Sequence, residues 1–137
     1  MPLAIDAMLG RAPELAVFGT DYDTPDGTCI RDYIRVTELA ADHRAALARF
    51  DHESVTYNFG TATGNSVLEV INSVARVGGH PVPHCLAPSR PGDPARLVAS
   101  PARIIRDTGG SPRHAALDDI VATALRWRMA HPNGYRA

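Results

Sequence analysis

Helix-forming stretches alternate along this chain with short apolar runs, and none of those runs is long enough to make a stable sheet alone. The clearest unit lies in the middle. Ser66 and Glu69 form a capping box that opens the helix VLEVINSVARV (67–77), and two glycines, Gly78 and Gly79, end it. Before it, VTYNF (55–59) reads as a strand and 60–65 as a tight glycine-containing turn; after it, VPHCLA (82–87) reads as a strand leading to a Pro/Gly-rich loop, 88–94. The first third follows the same rhythm. LAIDAML (3–9) reads as the end of a helix with Gly10 as C-cap, LAVF (15–18) as a strand, and 19–28 as a polar loop turning at Pro25, Asp26 and Gly27. In CIRDYIRV (29–36) Ile30, Asp32 and Ile34 alternate with Arg31, Tyr33 and Arg35, a period-2 strand, and Thr37 with Glu38 starts an alanine-rich helix to about Phe50. Ser100 is expected to cap a short helix with Pro101 at its first position, and an amphipathic helix is expected over about 117–131. There is no internal repeat. The fold class is α/β or α+β, and because the first residues already read as helix, a preceding half is expected to be missing.

Composition narrows the chemistry. The chain has 137 residues, a formal net charge of −1 and fourteen arginines without a single lysine. A lysine Schiff base, a P-loop lysine and a Tyr-x-x-x-Lys pair are therefore excluded within these residues. Any fixed positive charge must be a guanidinium, which suits bidentate recognition of phosphate or carboxylate. Near-neutral charge without a basic stripe argues against a nucleic-acid partner, and no apolar run approaches a membrane span. The N-terminus lacks a basic region, Asp6 interrupts its apolar stretch, and the two cysteines, Cys29 and Cys85, form no C-x-x-C. A reducing, cytoplasmic setting is expected.

Most chemical constellations resolve into ordinary structure. Gly60 and Gly64 precede a helix, but no G-x-G-x-x-G follows and no lone acidic residue sits where a ribose would need it, so no cofactor-binding residue is assigned. His80, His84 and Cys85 lie on an extended stretch where alternate side chains diverge, and no metal site is expected. His43, His52 and His131 stand near helix ends, and Asp118 and Asp119 in a first helical turn, all in keeping with the helix dipole. No nucleophile elbow occurs, and no catalytic residue is assigned. The arginines are better candidates. Arg31 opens an alternating strand, while Arg90 and Asp93 share a rigid loop, where they could grip a phosphate and a ribose or form a salt bridge with each other.

Four blocks then resemble a known family in order and spacing: LAVFGTDYDTPDGTCIRDYIRVTELAADH (15–43), YNFGTATGNSVLEVI (57–71), APSRPGDPARLVAS (87–100) and HPNGY (131–135). Together they resemble the C-terminal half of UDP-glucose 4-epimerases, which are extended short-chain dehydrogenase/reductases. The resemblance implies an α/β fold, the substrate-binding part of such an enzyme, over all of 1–137, with the Rossmann half absent. It implies that Ala16, Val17 and Phe18 lie beside a uracil, that Arg31 and Arg90 reach a diphosphate, that Asp93 holds a ribose, and that Leu97 borders the sugar. Family chemistry removes the C4 hydroxyl proton and passes a hydride to NAD. NAD is thus implied by the family, although its glycine-rich loop and Tyr-x-x-x-Lys pair have no counterpart here. The chain departs from the family pattern at Asp23 (commonly proline), Arg35 (histidine), Ser100 (aspartate) and Gly110 (tryptophan). The expectation is a UDP-sugar-recognising part that cannot catalyse alone. Other readings are a UDP-sugar-binding module, a partner of a separate NAD-binding subunit, and an epimerase part for another UDP-sugar such as a pentose. A face meant for the cofactor half would be apolar and exposed, so self-association is expected.

Overall fold

A computed structural model of the chain describes residues 1–49, 54–110 and 114–135. The elements run α1 (Pro2–Met8), β1 (Leu15–Phe18), β2 (Ile30–Asp32), α2 (Val36–Leu47), β3 (Gly64–Ser66), α3 (Val67–Gly78), β4 (His84–Ala87), β5 (Arg96–Leu97), α4 (Ala102–Thr108) and α5 (Leu117–Ala130). The strands form two small sheets. In one, β1 lies parallel to β4, with Leu15 opposite His84 and Phe18 opposite Ala87. In the other, β2 is central, antiparallel to β3 and parallel to β5. The fold is α/β, as expected.

Helix α3 forms where its sequence demands. Ser66 Oγ accepts from the Glu69 N–H (3.0 Å) while the Glu69 carboxylate accepts from the Ser66 N–H (2.7 Å), so the capping box is complete. Gly79 closes the helix in the left-handed region at φ 74°. The apolar stripe of α3, comprising Val70, Ile71 and Val74, is buried against Ala4, Ile5 and Ala7 of α1, Val17 of β1, and Val121 and Leu125 of α5. A polar clamp reinforces the α3–α5 contact. Asp118 accepts from the fully buried Ser73 hydroxyl (2.5 Å) and from Arg76 Nη2 (2.6 Å) and Nε (2.9 Å). Asp6, buried in α1, is satisfied in the same manner by the guanidinium of Arg128 in α5.

Several sequence expectations need correction. No strand forms over 55–59; the residues that pair antiparallel with β2 are Gly64–Ser66, of which Gly64 and Asn65 were expected in a turn and Ser66 as the helix cap. The strand expected over 29–36 is confined to Ile30–Asp32, because only those residues find ladder partners. Helix α2 starts at Val36 with extended Arg35 as its N-cap, ahead of the expected Thr37. Pro101 occupies the N-cap position of α4 without a side-chain bond, so Ser100 does not cap it. The two-residue β5 was not anticipated. Phe50 and His52 lie outside the described residues.

Candidate functional site: an arginine pair on one carboxylate

The segment after β4 leaves the first sheet and enters the second as β5, so its loop, 88–95, bridges the two. That route carries Arg90 back over the end of β1, where its guanidinium lies 4.5 Å from the centroid of the Phe18 ring. Three residues on, Asp93 is folded toward β2. A turn bond from the Asp93 N–H to the Arg90 carbonyl (3.2 Å) fixes the spacing. The result is a shared carboxylate. Arg31 Nη2 donates to Asp93 Oδ1 (2.8 Å) and Arg90 Nη2 donates to Asp93 Oδ2 (2.9 Å). Arg31 is further held from behind, since its Nη1 donates to the carbonyls of Ile30 (2.8 Å) and Pro94 (2.9 Å). The side chains of Arg31 and Asp93 are one-fifth exposed, whereas Arg90 is 60% exposed. Hydrogen bonding to Arg90 first, and then Arg31, holds the Asp93 carboxyl below the usual carboxylate range despite partial burial.

The other sequence-assigned residues sort by strand parity. Phe18 and Ala16 face away from the core, and Phe18 is partly exposed at the cluster. Val17 points the opposite way and is fully buried, so only its main chain can face a ligand. Leu97 pairs with Arg31 across the β2–β5 ladder and is 61% exposed, which puts an apolar side chain beside the arginine pair. Arg35 and Gly110, two of the departures from the family pattern, line a separate cavity of about 530 Å³ with Arg44 and His114.

Asp32, next to Arg31, carries a role that the sequence did not reveal. Its carboxylate accepts from Thr61 Oγ1 (2.6 Å) and from the N–H groups of Thr61 (3.0 Å), Ala62 (3.2 Å) and Ala99 (3.3 Å). Those bonds tie the segment before β3 and the one after β5 to β2. Gly60 allows them: a Cβ there would sit 2.6 Å from Asp32 Oδ2. The Tyr22 ring lies against Gly19, where an added Cβ would collide with its Cε2, and its hydroxyl is buried and lacks a partner among the described residues. Desolvation first, and then the Asp93 charge, pushes that phenol up.

Other chemistries find no footing. His43, inside α2, and His131, the C-cap of α5, donate to the carbonyls four residues back (2.8 and 3.2 Å). Among the described residues, no group of three His, Cys, Asp or Glu could hold a metal ion. Burial first, and then Glu14, pushes the Cys85 thiol up, leaving it protonated and a poor nucleophile. Nor do the residues fit NAD. Spaces beside Gly60 and Gly64 are filled by Asp32, Ala99, Ile30 and Val98, and the α3 N-terminus is closed by its own Ser66 and Glu69.

Fold and site together define an α/β unit in which a loop between two small sheets gathers two arginines on one carboxylate. No family model matches the chain. A UDP-glucose 4-epimerase of Azospirillum brasilense is 51% identical over 130 residues, covering 93% of this chain and 37% of its own length. One from Bifidobacterium longum is 42% identical over 136 residues, covering 98% and 40%. Among solved structures, UDP-glucose 4-epimerase from Bifidobacterium longum in complex with NAD+ and UDP matches with a TM-score of 0.91 at 41% identity, over 98% of this chain and 40% of that one. UDP-glucose 4-epimerase from Stenotrophomonas maltophila, with bound NAD and formylated UDP-arabinopyranose, matches at 0.90 and 38% identity, over 96% and 39%. UDP-glucose 4-epimerases are thus homologues of this chain, which corresponds to their C-terminal portion and spans about 40% of the length of these relatives.

Proposed function

We propose that residues 1–137 act as one UDP-sugar-recognising unit of an NAD-dependent epimerase that interconverts UDP-glucose and UDP-galactose through a 4-keto intermediate. The observation that carries this reading is the convergence of Arg31 and Arg90 on Asp93 beside Phe18. Two guanidiniums at that spacing suit the oxygens of a diphosphate, and a carboxylate between them suits ribose hydroxyls. Phe18 offers a ring to the uracil with Ala16 and the Val17 main chain beside it, and Leu97 offers an apolar wall to the sugar. Hydride exchange at C4 needs the nicotinamide and a Tyr-x-x-x-Lys pair; this lysine-free chain binds and orients the substrate, and an NAD-binding half completes the site. Two free cysteines and the absence, among the described residues, of a helix long and apolar enough to cross a membrane support a cytoplasmic setting.

Calorimetric titration of UDP into the chain tests the assignment. Binding is expected, and Arg31→Ala or Arg90→Ala is expected to weaken it by about tenfold or more, the scale of one charge-assisted bond. Uridine, lacking phosphates, should lose less affinity than UDP on either change. Absence of heat at millimolar UDP overturns the binding role, and turnover of UDP-galactose by the chain alone overturns the division of labour.

A further inference from the structure

We propose that the cavity between α2 and the end of α4 is a second binding site, built for a linear zwitterion whose carboxylate meets Arg35 and whose ammonium meets Asp42. None of its residues belongs to the arginine–carboxylate cluster, and the proposal stands whether or not the chain binds UDP.

Helix geometry keeps the charges of this cavity from neutralising one another. Arg35, Asp42 and Arg44 all line it. Arg35 is the N-cap of α2, and Asp42 lies seven residues on, two turns up the same side. That is about 10 Å along the axis, too far for an ion pair. Arg44 is only two residues from Asp42, which puts the two on different sides of the helix. The consequences show on both half-buried groups. Among the described residues, Arg35 Nε is buried without a hydrogen-bond acceptor. No arginine lies against the Asp42 carboxyl either: burial first, and then the Glu38 charge, pushes it up, and His43 offsets only part of that.

A ligand of one charge repairs half of this arrangement. A simple anion on Arg35 has Glu38 and Asp42 in the same cavity to repel it, and a simple cation on Asp42 leaves the Arg35 Nε unmet. A molecule with both groups answers both. Its carboxylate takes the Nε and Nη donors of Arg35 side-on, at the positive end of α2, where no side chain caps the helix. Its ammonium takes Asp42, which stands toward the opposite wall, since a Cβ added to Gly110 would lie 4.0 Å from Asp42 Oδ1. The methylenes between lie over Ala41 and Ala45, one turn apart on α2, facing Gly109 and Gly110, whose lack of side chains leaves the space open. The volume of about 530 Å³ falls within the range of ordinary small-molecule sites, about 300–1,000 Å³.

NMR titration of the isotope-labelled 137-residue chain with 6-aminohexanoate, hexanoate and hexylamine tests the site. At millimolar concentration 6-aminohexanoate should shift the amide signals of α2, Gly109 and Gly110 saturably, and it should bind about tenfold or more tighter than either single-charge probe. Arg35→Gln should weaken 6-aminohexanoate by about tenfold and leave hexylamine unchanged, whereas Asp42→Asn should weaken it by about as much without weakening hexanoate. Gly110→Leu fills the cavity and should abolish the shifts. Its Cβ meets nothing closer than Thr108 Oγ1 at 3.4 Å, so the circular-dichroism spectrum should stay native. Absence of saturable shifts with 6-aminohexanoate overturns the proposal, as does equal binding of either single-charge probe or undiminished binding by a folded Gly110→Leu chain.

Discussion

Arg31 illustrates how much one side chain can be asked to do. Its planar fork meets three acceptors at once, two carbonyls behind it and one carboxylate beside it, all at 2.8–2.9 Å. An ammonium on a flexible stem cannot reproduce that set of directions. Arg31→Lys is therefore expected to weaken UDP binding by about tenfold even though the charge is kept, and titration of the variant measures it. Arg31, Arg90 and Asp93 were candidates in the sequence because of their places in an alternating strand and a rigid loop, and the structure brings all three together. Side-chain direction was not visible. All four residues of LAVF are apolar, so nothing in the run told Val17, which is buried, from Phe18, which is not. Asp32 stayed hidden for a different reason: its four donors come from Thr61, Ala62 and Ala99, which are close to it only after β2, β3 and β5 align.

Elements whose signals are local were legible, and those defined by a partner were not. The capping box of α3 spans four residues and was read as it stands. Strand-forming VTYNF, by contrast, finds no ladder, while Gly64–Ser66, poor in strand formers, pairs because Ile30–Asp32 lies alongside. Ser66 makes the cap sensitive. Its hydroxyl accepts from Glu69 and donates to Asp26, which also accepts from the Thr28 N–H and hydroxyl. Ser66→Ala should therefore cost about 1 kcal/mol for the lost cap alone, measured by urea unfolding. At the other end of the core, the bonds from Arg76 and then Ser73 hold the Asp118 carboxyl down to about 2 from 3.8. The folded chain thus binds this proton more weakly than the unfolded chain. Its stabilisation is complete above about pH 4 and fades as the pH falls toward 2. Asp118→Asn should be less stable than the native chain at neutral pH, and unfolding curves taken at falling pH should show that gap closing within this window.

On the scale of the whole molecule, apolar cover is uneven. Core residues gather between α1, α3, α5 and β1, but α2 buries none of its twelve residues, and Val36 and Leu47 at its ends are 77% and 66% exposed. Leu3 and Met129 are also exposed, at 66% and 60%. Surface of this kind favours contact with another polypeptide, so the isolated chain is expected to self-associate. Light scattering on a dilution series should give a mass above that of one chain, falling on dilution; a constant single-chain mass contradicts the expectation.

The bridge between the two sheets also sets an order of events. Leu15 pairs with His84 and Arg31 with Asp93, so the parts of the site are far apart in the unfolded chain. Pairings across such long loops form late, because chain entropy is lost before the contacts repay it, whereas helices nucleate from neighbouring residues. Helix content is therefore expected first during folding; Arg90 and Asp93 are neighbours in the chain, but Arg31 meets that carboxylate only once a contact 62 residues apart closes. Assembly of the cluster is in effect a timestamp on long-range folding, and a chain caught midway keeps Arg31 apart from the Arg90–Asp93 loop.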